Sequence, residues 1–165
     1  MFKKIFGFVL DFLFPRKCGV CNKLNDNFVC KDCLKRINVF KIYNFSEEGI
    51  WIYRYEGIVR NLIIDYKFKD KSYLCELFAN CILSDGEVCK IIKKYDIILP
   101  VPLHKKRFKE RGYNQSKLIS DILAQKLGVQ TFDDVLVKIK NTLPQGKNLL
   151  HDRRKAIKGA FFVEN

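Results

Sequence analysis

Nowhere in these 165 residues does an apolar run reach the length of about 20 that a bilayer-spanning helix needs. The nearest candidate is the N-terminal MFKKIFGFVLDFLFPRK. Lys3 and Lys4 precede an apolar stretch, as in a signal peptide. Asp11 interrupts that stretch, Phe14-Pro15 ends it, and Arg16, Lys17 and Cys18 stand where a small-residue cleavage site belongs. The pattern predicts a short amphipathic helix that docks on the protein, with a membrane-surface anchor as the alternative. The expected location is the cytosol, or the periphery of a membrane. Internal repeats and low-complexity tracts are lacking. Histidine is scarce: His104 and His151 suit a surface or phosphate contact better than a general base, which argues against a catalytic triad. Acidic side chains are short too, 18 against 31 Lys+Arg, and the resulting net charge of +13 favours polyanions, acidic membranes or phosphorylated small molecules. An apolar content of 48% is enough to build a core.

Seven cysteines, an odd number, argue against a secreted disulfide framework. Four of them fall in CGVCNKLNDNFVCKDC, at Cys18, Cys21, Cys30 and Cys33. Each C-x2-C pair forms a turn that aims two sulfurs at one point. Two such turns supply the tetrahedral thiolate set of structural zinc. Residues 22–29 hold few large apolar side chains, so metal would replace a missing core. Four thiolates leave no open position for a reactive water, so the zinc is expected to be structural. Two disulfides or a redox pair are the competing readings; the doubled spacing and a reducing compartment weigh against them. Cys75, Cys81 and Cys89 are expected as small buried hydrophobes.

Beyond Cys33 a basic connecting stretch, 34–49, is expected to lead from a zinc module over 1–40 into a main domain over 50–165. IWIYRYEG, 50–57, reads as a strand. The spacing of Val59, Leu62, Ile63 and Tyr66 predicts a helix over 58–68, and that of Leu74, Leu77, Phe78 and Cys81 a second over 71–83, broken at Ser84-Asp85-Gly86. YDIILPVP, 95–102, reads as a buried parallel strand. Leu118, Ile119, Ile122, Leu123 and Leu127 predict a helix over 113–127 that stops at Gly128. A strand over 135–140, a basic helix over 149–157 and the entry to a last strand over 159–165 complete an α/β alternation.

The segment PVPLHKKRFKERGYNQSK, 100–117, reads as a basic loop that follows a strand and enters a helix at Gly112. Lys105, Lys106, Arg107, Lys109 and Arg111 gather there. A helix N-terminus beside five cations suits phosphate, and Arg111 can hold one in a two-pronged geometry. Tyr113, Asn114 and Gln115 add hydrogen bonds or base stacking. A solvated basic loop beside a core helix accounts for the spacing equally well.

The motif P-V-P-L-H-x2-R-x3-R-G-Y-N-Q behind a four-cysteine ribbon resembles the ComF family of phosphoribosyltransferase-like proteins, which is associated with bacterial competence. Tyr55-Glu56-Gly57, Tyr66-Lys67-Phe68, Thr142-Leu143-Pro144-Gln145 and Arg153 or Arg154 with Gly159-Ala160-Phe161 extend the resemblance over nearly the whole chain. Ala156 and Lys138 depart from the family's usual Asn and Arg. The resemblance implies a zinc ribbon followed by a type I phosphoribosyltransferase-like, Rossmann-like domain, and roles with single-stranded DNA and a competence helicase in DNA uptake and transformation. The family's acidic D-D-x-x-T-T-G loop is not found; Asp133-Asp134 leads into Val-Leu-Val-Lys. The domain is therefore expected to be C-terminally incomplete. A site with only its pyrophosphate side should lose nearly all turnover. The expected function is DNA handling, with Lys105, Lys106, Arg107, Arg111, Gly112, Tyr113, Asn114 and Gln115 as the phosphate or nucleic-acid contacts and no catalytic residue. The alternatives are a phosphoribosyltransferase using phosphoribosyl pyrophosphate and Mg2+, and a zinc-stapled module that docks on a helicase.

Overall fold

The structure is a computed structural model that describes residues 17–47, 49–142, 155 and 157–164. The chain divides into two compact units, Met1–Phe78 and Ala79–Asn165. The N-terminal amphipathic segment and residues 143–145, 151, 153, 154 and 156 lie outside the described residues, and of the expected helix over 149–157 only Lys155 and Ile157 are described, both helical.

The first unit opens on the cysteine segment, closed by an isolated antiparallel bridge between Lys17 and Leu24. Helix α1 (Lys31–Asn38) follows and buries Cys33 and Ile37, one turn apart. The stretch 34–49 is more than a connector. It completes α1 and enters strand β1 (Lys41–Ser46), which pairs antiparallel with β2 (Gly49–Tyr53). A bulge between Lys41 and Asn44 breaks the period-two alternation of β1, which hides the strand from pattern reading. The strand predicted over 50–57 ends at Tyr53. Gly57, at φ +48, opens helix α2 (Gly57–Phe68), which buries Val59, Leu62 and Tyr66 as the spacing predicts. A Cβ at Gly57 would stand 2.6 Å from the Phe40 ring, so glycine is required there for space and for backbone conformation. A 3-10 turn (Ser72–Leu74) precedes helix α3 (Cys75–Leu83), within which the boundary between the units falls.

In the second unit Asp85 both ends one helix and starts the next. Its carboxylate accepts from the N–H groups of Glu87 and Val88, 3.1 Å each, and caps α4 (Gly86–Ile92), which the sequence reading missed. Strand β3 (Ile97–Ile98) pairs parallel with β4 (Gln130–Thr131), as expected for an α/β chain. It is shorter and barer than predicted: Ile97, Leu99 and Val101 are all exposed. Pro100 and Pro102 have no N–H to give a ladder, so pairing stops at Ile98. Helix α5 (Lys105–Arg111), helix α6 (Gln115–Leu127) and an antiparallel pair of β5 (Leu136–Lys138) with β6 (Phe161–Val163) complete the unit. Of the stripe predicted for α6, Leu123 is buried and the others are half-buried; Gly128 ends the helix at φ +72. Among the described residues the strands form three separate two-stranded sheets. Cys75, Cys81 and Cys89 are half-buried, not fully buried as expected, and none is disulfide-bonded.

Candidate metal centre and basic helix

The Sγ atoms of Cys18, Cys21, Cys30 and Cys33 all lie within 4.8 Å of one another. The first turn is drawn tight by Asn22 N–H donating to the Cys18 carbonyl at 2.8 Å, with Asn22 in the left-handed region at φ 59. Gly19 N–H donates to Phe28 O at 2.8 Å and binds the two halves of the segment together. Cys30 caps α1 and Cys33 occupies its first turn, so the helix fixes the second pair. The Cys21 and Cys30 sulfurs stand 3.8 Å apart. A tetrahedron with metal–sulfur bonds of about 2.3 Å has edges of about 3.8 Å, so the sulfur set fits such an ion.

Electrostatics point the same way. Burial opposes ionisation of Cys18. N–H groups of Cys21, Cys30 and Val20 converge on its sulfur and bring the thiol down to about 6. Cys33 is pushed up to about 12 by burial and by the sulfurs of Cys30, Cys21 and Cys18. Without a cation Cys18 ionises readily and Cys33 resists. A divalent ion supplies the charge that lets Cys33 ionise as well.

The cluster is seated on α2 and the 3-10 turn. Lys71 Nζ donates to Gly19 O at 3.3 Å and to Asp65 Oδ2 at 2.8 Å, and Phe28 stacks on Tyr73 with centroids 5.9 Å apart. Hydrogen bonds from Lys69 and Lys71 hold the Asp65 carboxyl below its ordinary value. Sequence reasoning missed this strut because Lys71 and Gly19 are 52 residues apart. A Cβ on Gly19 would lie 2.8 Å from Leu74 Cδ2 and 3.0 Å from the Tyr73 ring, and Leu74 is fully buried. Gly19→Ala is therefore expected to destabilise the first unit by about 1–3 kcal/mol, read as a lower denaturation midpoint.

The basic segment is a helix, not a loop. His104 Nδ1 accepts from Lys106 N–H at 3.2 Å and caps the start of α5. Gly112, expected to open a helix, instead closes α5 in the left-handed region at φ 80. The next helix starts at Asn114, whose side chain accepts from Ser116 N–H at 3.0 Å and donates to Val101 O at 3.1 Å. Asn114 thus ties the Pro-Val-Pro segment to α6. Gln115 is buried, with Oε1 accepting from Arg111 Nη1 at 2.7 Å, so it orients that guanidinium and is closed to a ligand. Lys105 and Lys106 are exposed; Arg107, Arg111 and Tyr113 are half-buried.

Burial and the charge of Arg107 weaken the proton affinity of Arg111. The same two causes lower Lys138, on β5. Lys138 was not among the residues expected to bind; its neighbour in space is 31 positions away, and no local pattern links them. Arg107 has Glu110 as an ion-pair partner at 3.8 Å, too long and too exposed to neutralise it well. Arg111 and Lys138, both weakened by burial and by the charge of Arg107, mark a place where an anion lowers the energy.

The chain is 27% identical over 149 residues to a protein named Competence protein F from Haemophilus influenzae, covering 87% of this chain and 62% of that one. It is 24% identical over 108 residues to Competence protein ComFC from Bacillus subtilis, covering 64% of this chain and 44% of that one. The chain thus spans less than two thirds of the length of either relative. No family model matches it, and no solved structure does.

Proposed function

We propose that this chain, a relative of the ComF-family competence proteins, holds one structural zinc ion on Cys18, Cys21, Cys30 and Cys33 and binds single-stranded DNA in the second unit. On this reading the cluster belongs to an N-terminal ribbon, and the later residues to a phosphoribosyltransferase-like domain put to use for binding. Seven free thiols suit a reducing cytosol. The observation that carries the DNA reading is the grouping of Arg107 with Arg111 and Lys138, both of which feel its charge, with Lys105 and Lys106 exposed beside them. Phe108, 49% exposed on the same helix, offers a ring for a base.

Labelled oligo-dT anisotropy across salt concentrations tests the proposal. With about four phosphate contacts, log affinity should fall with log salt at a slope of about −2.8, roughly a fiftyfold loss between 50 and 200 mM. Affinity indifferent to salt, or absent at low salt, defeats it. Phosphoribosyl pyrophosphate with Mg2+ belongs in the same assay. Displacement of the oligonucleotide together with turnover on a nucleobase would favour the enzyme reading instead.

A further inference from the structure

We propose that the β1–β2 hairpin is a second contact surface for single-stranded nucleic acid, with Tyr43 and Phe45 as its stacking rings. The inference rests on the DNA-binding reading above and names a surface which that reading does not use. Tyr43 and Phe45 are 57% and 46% exposed. They stand two residues apart on β1, Tyr43 within the bulge and Phe45 in the regular ladder just past it, about 6.6 Å from each other along the strand. Ile50, opposite Phe45, widens the surface.

The surroundings favour a nucleic acid over an apolar protein segment. Lys41 Nζ stands 5.0 Å from the Tyr43 ring centroid, so the ring comes with an ammonium able to meet a phosphate beside a stacked base. Arg54, just past the end of β2, supplies a second cation at the same end of the hairpin. The intervening side chains, Asn44 and Ser46, are polar and exposed. Glu47 sits at the opposite end, in the turn, and gives the surface a direction: the phosphates pass at the Lys41 end. A strand laid there gains ring stacking and charge neutralisation together, and neither depends on base sequence.

The test uses the full chain loaded with zinc and labelled oligo-dT. Ultraviolet cross-links mapped by peptide mass should fall on the segment holding Tyr43 and Phe45. Tyr43→Ala with Phe45→Ala should weaken binding tenfold or more. Tyr43→Leu with Phe45→Leu, which keeps apolar bulk and removes the rings, should weaken it similarly. Trp51, the chain's one tryptophan, lies in this hairpin, and unchanged emission without DNA shows that a variant is folded. Parent-like affinity of the folded variants, or cross-links confined to other segments, overturns the inference while leaving salt-dependent binding in place. Absence of any capture by the parent chain overturns both.

Discussion

Stripping zinc with a chelator is expected to collapse the cysteine segment and to take much of the first unit's stability with it. Among described residues 17–30, fully or nearly buried positions are Cys18 and Gly19, and Leu24 is 68% exposed. Too little apolar surface is buried there to offset the ordering of its backbone. Structural zinc in small modules supplies about 10–16 kcal/mol of apparent binding energy at neutral pH, as much as a whole domain's net stability. Purified protein should contain about one zinc per chain, and Cys18→Ser or Cys33→Ser should lose it. Acid should mimic the chelator, because protons compete for the thiolates. The metal-free segment has its own pH profile. Cys18 is ionised when folded above about 6 but ionises only near 9.0 when unfolded, so its contribution rises with pH from about 6 and is complete above 9.0. Cys33 keeps its proton up to about 12 when folded, so its contribution is present below 9.0 and is lost as pH rises toward 12. Metal-free protein with the same melting curve as the parent would remove zinc from the account.

The cysteine cluster was legible because its geometry is local: two turns of fixed length set four sulfurs. Helices α2 and α6 were legible for a similar reason, since one stripe of apolar residues must be buried. Of the hairpin, β2 was legible as a run of β-branched and aromatic residues, and β1 was not, because a bulge shifts its alternation. Nor was α5, which buries no residue and so has no apolar period to read. Its ends are set by the His104 cap and by Gly112, and a glycine looks the same in sequence whether it opens a helix or closes one. At the site, the positions of Arg107 and Arg111 as cations followed from sequence. Burial of Gln115, the tie from Asn114 to Val101 and the approach of Lys138 did not, because each depends on elements brought together only by the fold.

Neutralising Arg107 and Arg111 together is expected to weaken capture of single-stranded DNA about a hundredfold. A hydrogen bond to a charged group contributes about 1.5 kcal/mol or more, so two lost contacts cost about 3 kcal/mol, roughly a hundredfold. The salt slope should shrink by about 1.4, two contacts at about 0.7 each. Arg111→Ala has a structural cost of its own, because buried Gln115 loses the donor at 2.7 Å. That cost is about 1–3 kcal/mol and shows as a lower melting temperature. Arg107→Ala separates the two effects. Its ion pair with Glu110 is long and partly exposed, so the fold should be unmoved while affinity falls about tenfold. Lys138 sharpens the test further. With Arg107 gone, a charge that lowers its proton affinity disappears, so its titration should move up toward the ordinary lysine range, visible by NMR of the side-chain nitrogen. An Arg107→Ala chain that binds DNA like its parent, with Lys138 titrating as before, would mean that these cations neither form one cluster nor grip the phosphates.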